Sequence, residues 1–140
     1  MNSYRLLADV IVVVHFAFVA FVVFALLAIL VGAVLRWGWV RNFWFRVIHF
    51  LSIALVVVQA VYGIECPLTT CERGFRMAAG ETPREGAFIA RWAHDLLFYD
   101  GEPWVFTTCY CVFGGVVLLT LLLAPPRWPW KKGPPSPDNP

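Results

Sequence analysis

"LLADVIVVVHFAFVAFVVFALLAILVGAVL", Leu6 to Leu35, holds one acid, Asp9, and one imidazole, His15, in thirty residues. About 20 apolar residues are enough to cross the hydrocarbon core of a bilayer, so this segment predicts a membrane span with length to spare. A secretory leader would have a shorter apolar stretch closed by a small-residue cleavage site. Here the run ends at "VLRWGW", and a retained first span is expected. Ala28 and Gly32 form a small-x-x-x-small pair, a site for close helix approach.

Composition agrees. Of the 140 residues, 60% are apolar and 14% charged, against about a quarter charged in soluble domains. Such a chain has too little polar surface to cover a water-soluble globule. The length is that of one domain. There is no internal repeat, phosphate-binding glycine loop, nucleophile elbow or basic nucleic-acid surface, and no nucleic-acid partner is expected.

Working outward, "RWGWVRNFWFR" (Arg36 to Arg46) mixes three arginines, three tryptophans and two phenylalanines, the mixture that marks a headgroup layer. A second span is predicted over about 47–64 and a third over about 104–124. The third, twenty-one residues, would be about 31 Å long at a rise of 1.5 Å per residue and stops at Pro125 and Pro126. Residues 1–125 form the helical membrane domain. The proline-rich tail, 126–140, is expected to be extended and outside the fold.

Arg36, Arg41 and Arg46 in the first loop face no acid, and Arg127, Lys131 and Lys132 in the tail face only Asp138. The segment between spans two and three sets four arginines against seven acids. The positive-inside rule makes the first loop and tail cytoplasmic. The N-terminus and the segment 65–103 are then outside. Trp37, Trp39, Trp44, Trp92 and Trp104 are the expected interface anchors.

Within the outer segment, "GAFIARWAHDLLFY" (Gly86 to Tyr99) is amphipathic. At 100° per residue Phe88, Ile89, Trp92, Ala93, Leu96 and Tyr99 share one arc, with Arg91, His94 and Asp95 outside it. This predicts one short helix lying in the outer interface or docked on the bundle. The fold class is thus all-α integral membrane, with three transmembrane helices and one amphipathic outer-interface helix. "YDGEPW" turns the chain into the third span.

"GIECPLTTCERG" (Gly63 to Gly74) reads as a rigid outer turn, with Thr69 or Thr70 capping a helix that follows. Its Cys66-x4-Cys71 pair admits a disulfide, stable on the outer side, or two free thiols. Metal binding or redox catalysis fits the spacing less well, because zinc and dithiol sites favour C-x2-C. Cys109 and Cys111 are expected as small packing residues. Glu65, Glu72, Arg91, His94 and Asp95 make an outer polar cluster. Glu65 and Glu72 read either as boundary charges or, with Asp9 and Gln59, as a proton or cation site.

"CPLTTCE", "FIARWAHDLLFYD", "LLADVIVVVHFAFVAFVV" and "EPWVFTTCYCVFG" together resemble the domain-of-unknown-function 2784 family over nearly the whole chain except the proline tail. The resemblance implies a small bacterial inner-membrane protein of three or four helices, and no activity.

No metal site or cofactor is expected. Haem is the one cofactor the histidines admit, on His15 and His94, since His49 belongs near the opposite face. Two functions remain. One is a non-catalytic accessory or structural subunit, with the lipid bilayer and other membrane-protein subunits as partners. The alternative is an outer-face redox or proton-transfer protein built on Cys66, Cys71 and His94, with haem as its conceivable cofactor.

Overall fold

The computed structural model describes residues 3–83, 88–97 and 101–130, without the side chains of residues 88, 89 and 97. Five α-helices follow one another: α1 (Ser3–Val34), α2 (Phe43–Tyr62), α3 (Pro67–Ala78), α4 (Phe88–Leu97) and α5 (Pro103–Leu123). A 3-10 turn, Gly38–Arg41, lies between α1 and α2. Helices α1, α2 and α5 are each long and apolar enough to cross a membrane. They agree with the three expected spans to within a few residues.

Local chemistry sets the ends. α2 begins earlier than expected because the Asn42 carboxamide oxygen accepts from the backbone N–H groups of Trp44 (3.0 Å) and Phe45 (3.3 Å), an N-cap that polar runs favour. It ends at Gly63, whose φ of 67° is left-handed. Helix α1 closes with the Trp37 N–H on the Gly32 carbonyl at 2.8 Å. Arg36 stands in the left-handed conformation there, φ 57°, where glycine is the usual occupant.

α1 has 32 residues, about 48 Å at the helical rise and well beyond a core of about 30 Å. Its surplus lies at the N-terminal end, where α3 packs along it. Ala8 is completely buried there, and Tyr4 stacks on Phe75 at 6.4 Å.

Within "ECPLTTCE" a helix begins at Pro67, with Cys66 as its N-cap, which corrects the expectation of a rigid, cross-linked turn. Pro67 occupies the first helical position, where its missing N–H costs nothing. Thr69 and Thr70 are inside the first turns and cap nothing that follows; the Thr70 hydroxyl donates back to the Cys66 carbonyl at 3.4 Å. Cys66 and Cys71 are free thiols. A helical register explains this. Five residues of helix separate the two by about 7.5 Å along the axis and turn them onto different faces, whereas a disulfide needs Cα atoms within roughly 7 Å and converging Cβ vectors.

In the bundle α5 packs on α2, and α1 meets them through Val22, Leu26, Ile53 and Val117 at the core. Gly114 permits the α2–α5 approach, since a Cβ there would lie 2.9 Å from Val57. Gly32 is buried against Val40 of the 3-10 turn, where a Cβ would come within 2.6 Å. Of the small pair Ala28 and Gly32, Gly32 therefore seats the turn. His49 is buried, with Nε2 2.9 Å from the Val22 carbonyl; only the nitrogen can donate, so the ring ties α2 to α1. Val13, Phe24, Leu55 and Leu122 are more than half exposed, as befits faces solvated by lipid.

At the α1–α2 turn the start of the tail belongs to the fold, another correction. Asn42 and Arg127 form an isolated parallel bridge, and the Arg127 N–H donates to the Arg41 carbonyl at 2.8 Å. Trp128 and Trp130 pack on Phe43, at 5.2 and 5.8 Å between ring centroids. Ring contacts and one backbone bond hold these residues despite the prolines around them. Residues 131–140, with Lys131, Lys132 and Asp138, lie outside the described residues.

Candidate polar site between α1, α3 and α4

α3 carries Glu72 and Arg76 one turn apart, the spacing at which helical side chains meet. Arg76 Nε donates to Glu72 Oε1 at 3.0 Å. The same guanidinium donates through Nη1 to Glu81 at 3.0 Å and through Nη2 to Asp9 at 3.2 Å. Glu72 Oε2 accepts from Arg91 Nη2 at 2.8 Å, and Arg5 reaches the other oxygen of Glu81 at 2.9 Å. One continuous set of ion pairs therefore ties the N-terminal end of α1 to α3 and α4.

Glu72 is the centre of it, 4% exposed. Burial by itself raises the pKa of a carboxyl, but the hydrogen bonds from Arg91 and Arg76, with their positive charge, outweigh burial and hold Glu72 below its ordinary value. Arg76 is pushed above its own ordinary value, chiefly by the hydrogen bond to Glu72 and against the cost of burial. At neutral pH Glu72 is a fixed anion with both oxygens occupied. Such a group braces the helices it joins.

Beside this network opens a cleft of about 330 Å³, lined by Val12, Glu72, Arg76, Arg91, Trp92 and Asp95, among others. Trp92 leans on Phe16 of α1, 5.8 Å between ring centroids. His15 is buried in α1 within electrostatic reach of Glu72 and Arg91.

The structure brings together three of the five residues expected as a polar cluster: Glu72 and Arg91 as an ion pair, and Asp95 on the same cleft. Glu65 belongs to a separate two-pronged pair with Arg73, both distances 2.9 Å. His94 is on the exposed side of α4, whereas His15 is interior. Arg91 corrects the expected orientation of α4: its guanidinium turns inward, because the buried Glu72 carboxylate needs a second donor, and Leu96 is the exposed residue instead. Tyr99 and the side chains of residues 88 and 89 lie outside the described residues. Among the described residues no group of three His, Cys, Asp or Glu side chains is placed to hold a metal ion.

Sequence reasoning missed Arg76, Glu81 and Arg73. The signal was present in Glu72-x3-Arg76, and reading α3 as a helix would have exposed it. It also missed Arg46, which is 2% exposed. Its Nη2 donates to the carbonyls of Thr120 (2.6 Å) and Ala124 (2.9 Å), and Nη1 reaches the Thr120 hydroxyl at 3.5 Å. The Ala124 carbonyl is one of the acceptors that the end of α5 leaves open, and the Thr120 carbonyl, which already accepts the Ala124 N–H at 3.0 Å, gains a second donor. Of the expected anchors, Trp37 and Trp39 stack at 6.1 Å, and Trp44, Trp92 and Trp104 are exposed.

The family model described as Protein of Unknown function (DUF2784) matches residues 5–126. The chain belongs to this family. The match takes in both the Glu72 network and the Arg46 cap, so these are placed within the DUF2784 region, while Arg127 and Trp128 follow it. No curated protein and no solved structure matches the chain.

Proposed function

We propose that this DUF2784 protein is a non-catalytic accessory or structural subunit of the bacterial inner membrane that packs against a larger membrane complex. The observation that carries this reading is α5. It is a full span of 21 residues in which only Val117 is buried. Cys109 and Cys111 are exposed, and Thr107 and Thr108 spend their hydroxyls on carbonyls one turn back. Small, internally satisfied residues on an uncovered helix suit close packing by another helix better than lipid alone. The Glu72 network agrees, since both Glu72 oxygens accept from arginines that join the helices.

The charge distribution supports an orientation. Arg36, Arg41, Arg46 and Arg127 gather at the α1–α2 turn without an acid among the described residues there, whereas the α3–α4 end mixes both signs. The positive-inside rule then makes the turn cytoplasmic and the α3–α4 end external.

Purification from native membranes in mild detergent tests the role: subunits should co-purify in fixed stoichiometry. A protein that runs alone and shows a haem absorption band overturns it. So does a His94→Ala variant that abolishes an activity with assembly and abundance unchanged, and the redox or proton-transfer reading then takes its place.

A further inference from the structure

The arginines at the α1–α2 turn differ in what they touch. Arg46 is consumed by the carbonyls that end α5. Arg41 is exposed and reaches the Pro125 carbonyl only at 3.3 Å, through both Nε and Nη2. Arg127 is drawn back by the bridge to Asn42, so that its Nη1 lies 3.8 Å from where a Cβ on Gly38 would be. It is exposed, and no carboxylate faces it among the described residues.

Arg36 supplies the independent observation. It holds a left-handed backbone, φ 57°, at the helix-closing position that glycine fills without strain. Backbone strain retained in a non-glycine residue is a pointer toward function. Its guanidinium is exposed, with no carboxylate at this end among the described residues. A strained arginine that meets no carboxylate among the described residues is suited to a counter-charge brought by a bound anion.

We infer that Arg36, Arg41 and Arg127 form a binding site for the phosphate groups of anionic phospholipids, at the level of the Trp37–Trp39 stack. Tryptophan pairs of this kind occupy the headgroup layer, and basic clusters beside membrane helices recognise acidic headgroups. Guanidinium groups match phosphate oxygens two at a time. The absence of acids selects among lipids. A choline or ethanolamine headgroup would carry its ammonium into a ring of guanidinium groups with no carboxylate to receive it, whereas phosphatidylglycerol brings only the phosphate charge.

The test uses the full-length protein in a neutral detergent, titrated with phosphatidylglycerol or phosphatidylcholine of equal chain length, with retained lipid counted by native mass spectrometry. Phosphatidylglycerol should be retained at about tenfold lower concentration, as a few surface arginines imply. Arg36→Gly removes the charge while relieving the backbone, so it should melt no lower than the unchanged protein and still lose part of the preference. Arg36→Gly with Arg127→Gln should bring the two lipids within about twofold of each other. Arg73→Gln, at the opposite end, should leave the preference intact. Equal retention of both lipids by the unchanged protein overturns the inference, as does a preference that survives in the double variant. Displacement of phosphatidylglycerol by equimolar inorganic phosphate would make this a free-anion site and overturn it too.

Discussion

At the α3–α4 end arginines meet carboxylates; at the α1–α2 turn the buried arginine meets backbone carbonyls. Glu72, Arg76 and Arg91 neutralise one another beside an open cleft, so each charge has both a partner and some access to water. Arg46 has neither carboxylate nor solvent. Its partners are carbonyls at the end of α5, of which Ala124 receives no donor from the helix itself, and a helix terminus near hydrocarbon is poor in donors. The first arrangement braces three helices through matched charge, and the second finishes a helix. They should therefore respond differently to substitution, to pH and to salt.

The largest effect is expected at Arg46. Arg46→Leu keeps apolar volume but strands the Ala124 carbonyl and takes the charged donor from Thr120, and should cost about 3 kcal/mol, the scale of hydrogen bonds to a charged donor. Equilibrium unfolding in mixed micelles measures this, and Arg46→Lys should recover part of it. An unchanged unfolding midpoint for Arg46→Leu would remove the capping role.

Next comes Glu72. Glu72→Gln removes the charge from the 2.8 Å contact with Arg91, while Arg76 keeps Asp9 and Glu81, so the loss should be about 2 kcal/mol, below the range for a wholly buried pair. The sign of the pH dependence follows from the lowered pKa. The stabilisation is present above the ordinary carboxyl value of 4.5 and is lost as pH falls through the lower folded value. Acid unfolding of the unchanged protein should therefore carry a component below pH 4.5 that Glu72→Gln lacks. If both proteins lost stability in parallel through that range, Glu72 would not be the group responsible.

The smallest effect belongs to Glu65 and Arg73, whose side chains are 50% and 25% exposed. Glu65→Gln should change stability by about 0.5 kcal/mol or less, and the difference should vanish in high salt. A loss as large as that of Glu72→Gln would erase the contrast between the braced interior of this end and its wet rim.

The membrane spans were legible because each is a long apolar run, the third closed by Pro125 and Pro126, whereas the Asn42 cap that starts α2 early was not read. α3 was obscured because proline, two threonines and paired cysteines imitate a turn, although proline is also a helix opener. With α3 missing, Glu72 lost its neighbour Arg76, and Arg91 was assigned to the outer side of α4. The Arg46 cap could not be read at all. Nothing near Arg46 in the chain indicates that its acceptors lie 74 and 78 positions away. Trp128 and Trp130 were hidden for a related reason, since proline-rich surroundings conceal a contact made with distant Phe43.

That separation also sets an order of events during biosynthesis. Every partner on α1 and α3, out to Glu81, is synthesised before α5, so the brace between those helices needs nothing from the third span. Arg46 is made with the second span, and its acceptors do not exist until the third is complete. The α3 brace is therefore assembled from what precedes α5 in the chain, whereas the fit of α2 depends on the last helix to be made.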